Sequence, residues 1–135
     1  MSYFLIPIAA IVSFIFGAIW YGPLFGSIWQ KHSNITQNQM KSGDFYFIFG
    51  LTFVCLLVMA MGMMDSIKQL RDWEKQSKKW QDGALLGIYL GLIFILPSMS
   101  INALYSKKSW IVLAIDASYQ ILCLIIMGSI IGQYR

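Results

Sequence analysis

"FYFIFGLTFVCLLVMAMGMM", Phe45 to Met64, is twenty residues without a charge. An α-helix rises 1.5 Å per residue, so a run of about 20 residues crosses the roughly 30 Å of hydrocarbon in a bilayer. The run is continuous rather than alternating, which excludes a half-buried strand. A backbone in hydrocarbon must satisfy its own hydrogen bonds, and a lone segment does so only as a helix. Three similar runs flank it. Tyr3 to Trp20 is eighteen residues, also uncharged; Gly83 to Leu104 is the third; Trp110 to Tyr134 is the fourth and holds one acid. The expected fold is an all-α membrane protein with a single domain over 1–135. Its four transmembrane helices, at about 3–20, 45–64, 83–104 and 110–134, form a compact bundle with an amphipathic or extended helical middle connection.

Composition agrees. The 135 residues are 58% hydrophobic and 12% charged, about half the charge of an ordinary soluble domain. The net charge of +4 does not point to nucleic acid, because the ten Lys and Arg lie in polar segments between and after the apolar runs, as loop placement explains. Cys55 and Cys123 each sit inside an apolar run and His32 is the single histidine, so no zinc or thiol-redox motif is present. No metal, cofactor or enzymatic constellation is expected; the lesser alternative, a membrane enzyme acting on a lipid, rests on a His32–Asp44 pair across loop one. The first run lacks a preceding Lys or Arg and a small-residue cleavage site, and is read as a span rather than a signal peptide.

Four spans put both termini on one side. Lys68, Arg71, Lys75, Lys78, Lys79 and Arg135 fall on that side; Lys31, Lys41, Lys107 and Lys108 fall on the other. Six against four leans towards cytoplasmic termini. In the middle connection Ile67, Leu70, Trp73 and Trp80 recur on one face, and Glu74 and Lys78 sit at i,i+4, predicting a helix on the membrane surface, a longer second or third helix emerging into water, or a docking site for another protein.

Helices in lipid associate where small residues let backbones approach. Gly83, Gly87 and Gly91 make one such stripe and Gly128 with Gly132 another. Their partner is in the same chain or in a second copy, and a homo-oligomer is expected.

Polar residues at depth mark structure or function. Asp116 is the single acid within a span, with Tyr119, Gln120 and Cys123 following along one stripe. Ser98, Asn102 and Tyr105 form a matching stripe on the third helix, after Pro97. The short turn from Tyr105 to Trp110 makes the two helices antiparallel neighbours, so the Asn102 amide is expected to donate to Asp116. Either this cluster pins the helices together, or Asp116 titrates or binds a cation along a pathway.

The stretch Ile19 to Trp29, "IWYGPLFGSIW", gathers Trp20, Tyr21, Gly22, Pro23, Phe25, Gly26 and Trp29. Trp and Tyr belong at the headgroups, and the residue before proline avoids helical geometry. A kinked interfacial segment is expected, on the same side as the turn between helices three and four. It either anchors the helix or caps the polar site at Asp116.

The chain resembles the bacterial membrane-protein family called domain of unknown function 1761. The resemblance rests on W-Y-G-P-L-F-G-x-x-W at Trp20 to Trp29, on Asn102-Ala-Leu-Tyr105, on Ser109-Trp110, on Asp116-Ala-Ser-Tyr119 and on Met127-Gly128-Ser129-Ile130-Ile131-Gly132. It implies a four-helix integral protein of the bacterial cytoplasmic membrane, with no established activity and no catalytic residues. It also implies positive charge concentrated in loops one and three, which would place the termini outside, against the count above; the middle connection here is longer and more charged than the family pattern. The functional expectations are a small oligomeric channel or transporter with a polar site around Asp116 and Asn102, or a structural or accessory protein that binds a partner protein or lipid.

Overall fold

The computed structural model describes residues 3–33, 44–71 and 79–133. Trp73, Glu74 and Lys78 of the middle connection, Lys41 and Arg135 lie outside them. The described residues are helical and contain no strand. Helix α1 (Leu5–Ile19) continues through a π-helical turn (Trp20–Leu24) into α2 (Gly26–Ser33). Next come α3 (Asp44–Arg71) and α4 (Lys79–Leu90). A second π-helical turn (Gly91–Ile95) joins α4 to α5 (Leu96–Ser106), and α6 (Trp110–Gln133) is last. Four segments are long and apolar enough to cross a membrane: Leu5–Leu24, Tyr46–Gln69, Trp80–Ser106 and Trp110–Gln133.

The Gly-Pro step behaves differently from the sequence expectation. Proline has no N–H to donate within a helix, yet the helix does not stop at Gly22-Pro23. It widens by one residue, so that the Phe25 N–H reaches back five positions to the Trp20 carbonyl at 2.9 Å. The path breaks at Phe25, where φ is −120° and ψ 4°, and α2 starts afresh as the Trp29 N–H bonds the Phe25 carbonyl at 2.9 Å. A π-turn shifts every residue beyond it around the helix axis. Here it turns α2 back towards α6.

Helix α6 is the hub. Eleven of its residues are buried, and it touches every other helix element of the fold, the first π-turn through side chains. Its tightest neighbour is α4, for a reason the glycine stripe supplies. A Cβ at Gly83 would run into the Gly128 carbonyl, and one at Gly128 into the Gly83 carbonyl. At Gly87 it would come within 2.5 Å of the Leu124 carbonyl, and at Gly91 within 2.7 Å of the Ile121 side chain. Both glycine stripes are therefore covered by the same chain; Gly132 is buried as well. Beyond the second π-turn, Met99 and Ala103 of α5 pack on Leu113 and Ala117 of α6.

The main apolar core joins α1, α3 and α6 through Leu5, Ala9, Ala60, Met64, Met127 and Ile131, among others. It occupies the half of the molecule near the start of α1 and the end of α3, where the Lys68 ammonium also donates to the Tyr3 hydroxyl at 2.9 Å. By contrast α3 and α4 hardly meet, which leaves an open seam between them.

Candidate functional site

The π-turn sets the site. It places Trp20, Tyr21 and Trp29 against the first turns of α6, and each finds a polar partner there. The Tyr21 hydroxyl donates to Asp116 Oδ1 at 2.6 Å, and the Trp29 indole Nε1 donates to the same oxygen at 3.0 Å. The Trp20 indole Nε1 donates to the Ile115 carbonyl at 3.2 Å. Asp116 is half-buried, and Oδ2 takes no hydrogen bond among the described residues. Tyr and Trp suit this place because each joins an apolar ring to one donor.

The rings close around the carboxyl. Tyr21 meets Trp29 edge-on at 5.6 Å between centroids and Tyr119 at 5.2 Å. Tyr119 in turn stacks on Phe16 at 5.9 Å, and Trp20 packs against Phe25 at 4.5 Å. The buried Tyr119 hydroxyl points into α1 and donates to the Ser13 carbonyl at 3.4 Å. Gly17 makes room for it, since a Cβ there would lie 2.6 Å from that hydroxyl. Gly26 is equally constrained, because its Cβ would strike the Tyr21 carbonyl, whereas Gly22 faces open space.

The structure thus brings together Asp116, Tyr119, Trp20, Tyr21, Phe25, Gly26 and Trp29, and leaves the other expected partners elsewhere. Asn102 is exposed on α5 and makes no side-chain hydrogen bond among the described residues. Ala103 and Met99 face α6 instead, and the next residue along a helix points about 100° away. The expected Asn102–Asp116 pair is therefore replaced by Tyr21 and Trp29. Tyr105 is 87% exposed. Ser98 and Gln120 line a separate cavity between α3, α5 and α6. The stripe on α6 divides accordingly: Asp116 and Tyr119 face α1 and α2, while Gln120 faces the seam.

Ser13, Phe16 and Gly17 belong to the site and were not singled out in the sequence. A signal was there. Ser13 and Gly17 are small residues four apart, and with Ala9 they form a flat stripe like those on the later helices. No group of three or more metal-ligating side chains occurs among the described residues.

No curated protein and no solved structure matches the chain. The tryptophan- and glycine-bearing turn, the acid it covers and the glycine-packed fourth helix all fall within one family model. That model matches residues 5–132 and is described as a protein of unknown function, DUF1761; the chain belongs to this family.

Proposed function

We propose that the protein is integral to the bacterial cytoplasmic membrane and acts there as a structural or accessory component, with Asp116 as the latch that holds α2 down on the helices. One observation carries this reading: the Asp116 carboxylate accepts from two side chains that lie 95 and 87 residues away in the chain. An acid held by two donors inside an aromatic cluster has the character of a fixed joint, because releasing it would leave two donors without a partner. The described cavities do not reach it. With Gly83, Gly87 and Gly128 covered by their own chain, self-association would use the exposed apolar surfaces, such as Phe47, Val58 and Leu85. No catalytic step is assigned.

A second reading, a small channel or transporter, draws support from the half-buried Asp116 and its unengaged Oδ2. Proteoliposomes carrying a pH-sensitive dye separate the two. For a latch, wild type and Asp116→Asn both give background proton and potassium flux, while Asp116→Asn unfolds at lower temperature and is cleaved faster beside Lys31. Flux in the wild type that Asp116→Asn abolishes would replace the latch by a transport site.

A further inference from the structure

We infer that the seam between α3 and the α4–α5 segment is a binding site for a membrane-soluble molecule with a flat, carbonyl-bearing ring, held by the Gln120 amide. The seam contains a cavity of about 580 Å³, walled by Met59 and Met63 of α3, Phe94 of the second π-turn and Met99 of α5, with Gln120 and Leu124 on its floor. Its size falls in the range of roughly 300–1,000 Å³ common to small-molecule sites, which pair apolar walls with few polar groups. The π-turn contributes to the opening, since Phe94 and Ile95 line the cavity beside Leu90 at the end of α4.

Gln120 supplies the chemistry. It is ten residues past Trp110, about 15 Å along the helix at 1.5 Å per residue. That is the middle of a bilayer core about 30 Å thick. Its amide makes no hydrogen bond among the described residues and is open to the cavity. An amide without a partner at that depth is costly, and no water is at hand to satisfy it. Of the two serines on the walls, Ser66 donates to its own helix at Gly62, 2.9 Å away, and Ser98 makes no hydrogen bond to Gln120 among the described residues. The occupant must therefore bring an acceptor for the amide N–H to mid-depth.

Magnitudes choose among occupants. A helix about 10 Å across fills roughly 420 Å³ per turn, so the cavity encloses little more than one turn, and a helix with its backbone bonds already made offers the Gln120 amide no free carbonyl. A phospholipid keeps its carbonyls near the headgroups, about 15 Å from Gln120. A ring bearing a carbonyl within an otherwise apolar molecule meets both demands. Three methionine thioethers and Phe94 suit such a ring, since sulfur packs favourably on flat π-systems.

Gly62 makes the test clean. It lines the cavity, and a Cβ there meets nothing within 4 Å. Gly62→Leu should fill the space and leave the helix intact. Gly50 on the same helix is equally open but lies outside the cavity, so Gly50→Leu is its control. The probe is decylubiquinone, followed by thermal unfolding of the purified full chain and by quenching of tryptophan emission. Wild type and Gly50→Leu should be stabilised and quenched in a saturable way. Gly62→Leu and Gln120→Leu, with unfolding temperatures near wild type in the absence of probe, should lose at least tenfold in apparent affinity. Decylbenzene, which has no carbonyl, should shift neither signal. Failure of decylubiquinone to bind the wild type, equal binding by all four proteins, or equal stabilisation by decylbenzene would each overturn the assignment. The Asp116 latch is at the other face of α6, and its failure would leave these outcomes unchanged.

Discussion

Gly22 and Gly26 stand four residues apart in one motif and have opposite duties. Gly22 borders open space, so Gly22→Ala should leave stability within about 1 kcal/mol of wild type, the scale of the helix-propensity gain. Gly26 lies against the Tyr21 carbonyl, and Gly26→Ala should cost about 1–3 kcal/mol, as overpacking commonly does. Thermal unfolding in detergent measures both. Tyr21→Phe removes the shorter hydrogen bond to Asp116 and should cost about 1–3 kcal/mol, with faster hydrogen exchange confined to α2 and the first turns of α6. Asn102→Ala, by contrast, should change neither property, because its side chain is exposed and engages nothing at the acid.

At the scale of elements, two prolines sit at two widened turns. Pro23 lies within the first, and Pro97 follows the second by two residues. Pro23→Ala returns the missing N–H and favours regular α geometry. One residue fewer in that turn rotates α2 by about 100°, which should carry Trp29 off Asp116 and shift its emission, read as the difference from the same substitution in a Trp29→Phe background. Much of this architecture was legible. The four apolar runs marked the four long helices, although α3 runs on to Arg71, seven residues past Met64, and spacing alone marked the glycine face at Gly83 and Gly87. The rotation of each helix about its axis was not legible. In a soluble protein polar residues mark the outer face, but here Leu104 is as apolar as Ala103 and faces outward. Nothing in composition told Asn102 from its neighbour as the residue facing α6. Nor could spacing show that Pro23 would be absorbed by a widened turn, since that outcome depends on the contacts α2 makes after it.

For the whole molecule, α6 is what the other helices share, while α3 and α4 barely touch. The chain should therefore tolerate being cut between residues 71 and 79. Co-expressed halves, 1–71 and 79–135, should copurify in detergent, joined by Leu5, Met64, Met127 and their neighbours and by the three donors on Asp116 and Ile115. Gly128→Leu in the second half should separate α4 from α6 and weaken that recovery severalfold. The hub position of α6 also has a consequence for the order of synthesis. Tyr21 and Trp29 leave the ribosome 95 and 87 residues ahead of the acid that receives them. At about 5–20 residues per second, their donors go without that acceptor for on the order of 10 s. The nascent amino-terminal third must be held meanwhile by water at the bilayer surface or by the insertion machinery. A chain stalled before Asp116 would keep that segment undocked, a state that cellular proteases could recognise as unfinished.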